Sequence, residues 1–253
     1  MNRATVRVGI PPADRPARTP ASPSAPAWSS LQYGPLQAAQ GRWGRVAKRA
    51  EDLILGTALL VLMLPLMVAI AVAIRLDTAG PALFRQTRRG LNNRPFGILK
   101  FRTMVFVPGP ELTVPQARRH DPRVTRVGRV LRRTSLDELP QLFNVLKGEM
   151  SRVGPCPHAF AHGERYGALI AGYADRHRMR PGITGWARVP GLRGETDTLE
   201  KMQRRVDLDL AYLAHRSLWF DLRILVLTVR HRRGEWVGPT PPWPVIFRLP
   251  RPR

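Results

Sequence analysis

Two adjacent carboxylates, Asp137 and Glu138, stand in the stretch SLDELPQLFNVLKG, just ahead of a Leu-Pro step and an apolar run. Leu139 precedes a proline and is biased away from the helical region, whereas Pro140 suits a first helical turn. The spacing predicts a helix that starts at about Pro140, carries Leu142, Phe143, Val145 and Leu146, and ends at Gly148. Asp137 and Glu138 then lie just outside its N-terminus. Free N–H groups at a helix entrance carry partial positive charge, so they hold a carboxylate ionised and also attract phosphate. An ionised aspartate there can be a nucleophile, and a glutamate one residue on can hold Mg2+, which takes one or two carboxylates together with phosphate oxygens. A plainer reading competes: Ser135 and Glu138 match the S-x-x-E capping box, with Asp137 a favourable first-turn charge. Pro140 counts against it, because a helix capped at Ser135 would carry proline beyond its first turn.

The surroundings of this acid pair are basic. Across 253 residues, 41 Lys and Arg face 18 Asp and Glu, a formal net charge of +23 that favours an anionic partner. A cation between acids and substrate would reconcile the two signs. Arg123, Arg126, Arg129 and Arg132 recur at three-residue intervals among Val124, Val127, Val130 and Leu131, a basic amphipathic segment. Arg132 and Arg133 precede the acids closely and could clamp phosphates through their forked donors, while a solvated or lipid-facing surface is the alternative for each arginine of the series. Among His120, His158, His162 and His177 only His158 and His162 have i, i+4 spacing, and no third ligand lies near them, which gives zinc little support. The single cysteine, Cys156, cannot form an internal disulfide. Neither a P-loop nor a Rossmann fingerprint is present, and no RNA-binding or helix-turn-helix pattern is visible.

The elements that must position these groups divide the chain. Residues 1–45 are rich in Pro, Ala, Ser and Arg without helical or strand period and read as a disordered arm. The apolar run 53–74 is uncharged and as a helix would be roughly 33 Å long, enough for a bilayer core. Basic residues flank it on both sides, Arg42, Arg45, Lys48 and Arg49 before it and Arg75, Arg85, Arg88 and Arg89 after it, so each flank asks for the same side of the membrane. Pro65, near its middle, lacks the N–H that would bond the carbonyl of Val61. A helix, break, helix that enters and leaves by one leaflet satisfies both flanks; a kinked single crossing is the competing reading, and physics alone leaves the two open. Beyond it, 82–86 and 96–101 suggest an antiparallel hairpin, 105–122 and the segment from Ser151 to Phe160 suggest loops, 163–178 and 198–232 suggest helices, and 234–253 is a proline-rich basic tail. The apolar stretch 218–229 is too short and too charged to span a membrane.

The ordered motifs LDTAGPALFRQTRRG, KFRTM, RVTRVGRVLRRTSLDELPQLFNVLKGEMSRVGP, RPGITGWARVPGLRGETDT and SLWFDLRILVLTV resemble the bacterial sugar transferases, the monotopic polyprenyl-phosphate phosphoglycosyl transferases, over about residues 46–231. The resemblance implies an α+β, mainly helical fold. A re-entrant membrane helix over 46–76, broken at Pro65, would precede a cytosolic catalytic domain over 77–233. It implies transfer of a hexose-1-phosphate of glucose or galactose type from a UDP-hexose to polyprenyl phosphate, with release of UMP, at the cytoplasmic face of the inner membrane. It assigns Asp137 as nucleophile through a covalent phosphosugar, Glu138 as the Mg2+ ligand, and Arg132 as a phosphate-binding residue. Lys100 and Arg102, in KFRTM, join the expected substrate-binding set. PGLRGETDT looks most like the branch that initiates exopolysaccharide or capsule chains, and the polar residues 1–45 make the chain resemble the compact form of the family. Three departures stand out: Cys156 where Pro-Arg-Pro is usual, Arg188 and Pro190 where glutamine and asparagine are common, and an unusual tail. Arg152 or Arg188 could supply the missing guanidinium. The competing functions are a catalytically impaired paralogue and a basic membrane-anchored protein that binds anionic lipid without chemistry; no nucleic-acid partner is expected, and sugar and oligomeric state are left open.

Overall fold

A computed structural model describes residues 41–106, 121–158, 166–167, 169–170, 172–192 and 198–230. Most of the expected arm, most of the 105–122 loop and the 234–253 tail lie outside these residues.

Helix α1 (Arg42–Asp77) is built from Ala, Leu, Met, Val and Ile and ends where Thr78 turns extended and Gly80 adopts φ +112° ahead of Pro81. Pro65 lies inside it. The expected helix, break, helix is thus a single continuous element, because one missing N–H removes one rung and leaves the turns on both sides intact. Strands β1 (Leu83–Arg89) and β2 (Pro95–Phe101) form the expected hairpin, antiparallel with Leu83 opposite Phe101 and Arg89 opposite Pro95. Its turn places Asn92 and Asn93 at φ 53° and 61°, a left-handed region that asparagine tolerates.

The basic amphipathic segment is helix α2 (Arg126–Thr134), whose first turn is capped by the Thr125 hydroxyl accepting from the Gly128 N–H at 2.9 Å. Helix α3 (Gln141–Lys147) has the predicted bounds, with Pro140 at its start and Gly148 at φ 84° closing it. The segment from Ser151, read as a loop, opens with a strand instead, β3 (Ser151–Val153), which pairs in parallel with β4 (Gly182–Thr184). Glycine makes the pair possible, since a side chain at Gly182 would collide with the backbone of Gly154. Of the helix expected over 163–178, residues 166, 167 and 169 are α-helical and Tyr173–Arg178 is a 3-10 helix. That expected over 198–232 is two, α4 (Leu199–His215) and α5 (Leu218–Arg230): Arg216 turns extended at ψ 130°, and the Ser217 hydroxyl accepts from the Phe220 N–H at 3.1 Å to start the second.

One buried cluster joins Val153, Trp186, Tyr212, Phe220 and Ile224. A second joins Met67, Ile70 and Ile74 of α1 to Phe101 and Leu131, with Leu136, Leu139 and Phe143 packed against it. The other faces of α1 are bare: only 17% of its most apolar window is inside the protein, and Ile54, Val61 and Leu62 are about two-thirds exposed (68%, 67% and 69%). Apolar surface of that extent calls for lipid.

Both ends of α1 rest on the same body. Near its start, Lys48 pairs with Asp52 at 3.0 Å and with Asp221 of α5 at 2.6 Å, while Arg152 of β3 reaches Glu51 at 2.7 Å, all of them buried or nearly so. Arg49 donates to the carbonyls of Val145 and Leu146 at 2.6 and 2.8 Å, closing the last turn of α3. Near its end, Asp77 accepts from the Val127 N–H at 3.2 Å and Arg102 donates to the carbonyls of Ile74 and Thr78 at 3.3 and 2.7 Å.

Candidate active site

The acids sit on a 3-10 turn, Leu136–Glu138, entered through Ser135 at φ 55°. Ser135 offers no side-chain cap, and Glu138 does not reach back to it, so the capping box suggested by the sequence is not formed. The left-handed Ser135 ends α2, and its N–H bonds back to Arg132. Leu136 and Leu139, on either side of the acids, lean into the cluster around α1 and fix the turn there.

Glu138 is fully engaged. Lys100 Nζ lies 3.1 Å from Oε1; Arg188 donates from Nη2 to Oε1 at 2.7 Å and from Nη1 to Oε2 at 2.5 Å. Arg188 Nη1 also donates to the carbonyl of Ile183 at 2.6 Å, which ties the guanidinium to β4. Burial works against the charge of Glu138, but Arg188 and Lys100 outweigh it and hold the carboxyl well below the usual carboxylate range. The charge of Glu138 is therefore met by these side chains rather than by the helix entrance.

Asp137 behaves oppositely. Its carboxylate accepts no hydrogen bond among the described residues, and burial raises its pKa; Lys100 opposes this, the charge of Glu138 adds to it, and Arg132 and Arg188 oppose it again, with a net upward shift. A carboxylate without hydrogen bonds, surrounded by cations yet partly desolvated, keeps its lone pairs available to an electrophile. Asp137 and Glu138 are also hard oxygen donors of the kind a divalent cation takes, and two carboxylates suit an ion that shares its shell with phosphate and water.

The expected substrate-binding residues separate. Arg132 is exposed, and its Nε donates to the Thr103 hydroxyl at 2.8 Å, which orients the guanidinium while its terminal nitrogens make no hydrogen bond among the described residues. Lys100, opposite Phe84 in the hairpin, reaches the acids. Arg102 departs from expectation: it is 4% exposed and its donors go to Ala79, Ile74 and Thr78 at the end of α1. Successive residues of a strand face opposite sides, so Lys100 and Arg102 share a face, but Arg102 lies past β2 where the chain meets the frayed carbonyls of α1.

Sequence reasoning noted Arg188 as a departure and as one candidate for a missing guanidinium, whereas the structure makes it the principal partner of Glu138. It also lies close enough to the buried Cys156 to interact with it. Arg152, the other candidate to replace a guanidinium at 156, is committed to Glu51. His158 belongs to a separate buried group: its Nδ1 meets the Tyr173 hydroxyl at 2.8 Å and its ring contacts Arg176, which donates to Asp209 at 2.5 Å and to the Cys156 carbonyl at 2.6 Å.

Comparison with known proteins assigns the family. The family model described as "Bacterial sugar transferase" matches residues 43–233, and the chain belongs to that family. The "UDP-glucose:undecaprenyl-phosphate glucose-1-phosphate transferase" of Escherichia coli (strain K12) is 55% identical over 73% of this chain and 40% of its own length. The protein of the same name from Caulobacter vibrioides is 54% identical over 72% of this chain and 68% of its own length. The "Exopolysaccharide production protein PSS" of Rhizobium leguminosarum is 45% identical over 73% of this chain and 94% of its own length. The chain thus spans about two-fifths of the length of the Escherichia coli relative.

Proposed function

We propose that this protein is a phosphoglycosyl transferase that moves hexose-1-phosphate, of glucose type, from a UDP-sugar to undecaprenyl phosphate and releases UMP, as the first membrane step of an exopolysaccharide, capsule or O-antigen pathway. The observation that carries the reading is the contrast within the acid pair: Glu138 is tied down by Arg188 and Lys100, whereas the partly buried carboxylate of Asp137 accepts no hydrogen bond among the described residues. The sugar and acceptor come from the names of relatives of about half-identical sequence.

In this reading an oxygen of Asp137 attacks the sugar-bearing phosphorus of the donor. The bond from that phosphorus to the bridging oxygen breaks, the bridging oxygen leaves with UMP, and an aspartyl phosphosugar remains. An oxygen of undecaprenyl phosphate then attacks the same phosphorus and returns the carboxylate to Asp137. Arg132, held by Thr103, and Lys100 face the phosphoryl oxygens and offset charge as it redistributes. Glu138 is the residue that would hold Mg2+, which when bound neutralises diphosphate charge.

Support for the proposed location comes from α1. Its ends are joined to one body by Lys48 and Asp221 at the start and by Arg102 at the finish, a separation of roughly 40 Å along the helix. Placing both basic ends on the cytoplasmic face of the inner membrane, with the bare apolar side of α1 embedded in a single leaflet, keeps these polar contacts out of hydrocarbon.

The test is UMP release by membranes given UDP-glucose, undecaprenyl phosphate and Mg2+. Asp137→Asn is expected to lower the rate by ~10³-fold or more. Full activity in that variant would overturn the assignment, and vesicle binding without UMP release would favour a lipid-binding protein.

A further inference from the structure

The role of Arg188 rests on the transferase reading just given and goes beyond it. Its two terminal nitrogens cover both oxygens of Glu138, and Lys100 lies on one of them, so a single negative charge faces two positive ones. A small divalent ion at an oxygen of Glu138 needs that oxygen's lone pair at about 2 Å in near-octahedral geometry. A forked guanidinium takes a lone pair of each oxygen of the same carboxylate and repels the ion. Arg188 and a divalent ion therefore compete for Glu138.

What happens to the displaced guanidinium is also set by the structure. Its Nη1 contact with the Ile183 carbonyl keeps it local, the neighbouring Cys156 is a small side chain, and Asp137 is within its electrostatic reach. The space beside Asp137 is where the phosphorus under attack must lie. We propose that Arg188 is an exchangeable counter-ion: it holds Glu138 in the metal-free site, gives up an oxygen when Mg2+ enters with the donor, and then faces the diphosphate. It is a positioning residue toward the metal and a binding residue toward the donor.

The experiment reads metal binding directly. Mn2+ binding to the purified full-length protein is followed by electron paramagnetic resonance, without turnover, for wild type, Arg188→Gln and Arg188→Lys. Removing the competitor is expected to tighten Mn2+ about tenfold in Arg188→Gln, and less in Arg188→Lys, whose ammonium cannot bridge both oxygens. With turnover, KM for the UDP-hexose is expected to rise about tenfold in Arg188→Gln with a smaller change in kcat, and to recover partly in Arg188→Lys. Should Arg188→Gln fail to fold, Arg188→Lys alone still predicts Mn2+ binding tighter than wild type. Unchanged or weaker Mn2+ binding in the folded variants, or none in any of them, overturns the proposal. Lack of UMP release by the wild type would overturn the transferase reading instead, and the Mn2+ comparison would still decide the role of Arg188.

Discussion

Lys48 Nζ lies 2.6 Å from Asp221 Oδ2, with the lysine side chain 6% and the aspartate 0% exposed, and this pair fastens the first turns of α1 to α5. Tyr212 donates to the other oxygen of Asp221 at 2.5 Å, and Asp52 shares the lysine. Removing one partner strands a buried charge. Lys48→Met is expected to cost ~3–5 kcal/mol, read as a lower unfolding midpoint in detergent. A midpoint equal to wild type would mean that the pair does not anchor α1.

The two acids are expected to affect stability with opposite signs. Asp137 has a folded pKa above its unfolded value, so the stability it contributes is present at low pH and lost as pH rises through the folded pKa. Glu138 has a folded pKa below its unfolded value, so its contribution is present above the unfolded carboxylate range and lost as pH falls. At neutral pH, Asp137→Asn should raise the unfolding midpoint and Glu138→Gln should lower it, each by ~2–4 °C per kcal/mol. Midpoints moving in the same direction would contradict the geometry.

Catalysis should show the same ionisation. Only ionised Asp137 can attack, so kcat/KM for UDP-glucose is expected to fall on the acidic side, with its midpoint above the usual aspartate value of about 4. A flat profile down to that value would argue against a desolvated nucleophile.

Gly128 offers a test of how Arg132 is held. Alanine in a helix interior normally stabilises by ~1 kcal/mol relative to glycine. Here a Cβ would collide with the backbone of Thr103, whose hydroxyl orients Arg132. Gly128→Ala is expected to destabilise instead and to raise KM for the donor several-fold, roughly 1 kcal/mol of lost binding. A more stable variant with unchanged KM would show that α2 can move without consequence.

Local signals carried much of this architecture. The length of α1, the hairpin, and the bounds of α3 between Pro140 and Gly148 follow from composition and from two residues with strong backbone preferences. The break between α4 and α5 was hidden because Ser217 lies in an otherwise helical sequence. The pairing of β3 with β4 depends on Gly154, Gly182 and Gly185 meeting across sequence, which no window along the chain displays. The site was legible to the same degree. Asp137 and Glu138 stand out as a pair, yet Arg188 is fifty residues away and its contact with Glu138 has no local trace. Arg102 misled because a motif gives neighbourhood without direction, and its donors turn toward α1.

Leu136 and Leu139 bracket Asp137, and both lean on the apolar helix. The Asp137 carboxylate consequently has a set height relative to α1, fixed by two leucines, much as a workbench is bolted at one height. In the transferase reading proposed above, a water-borne nucleotide sugar would descend to it and a polyprenyl headgroup would reach it from below, so neither partner would have to cross the boundary between their phases.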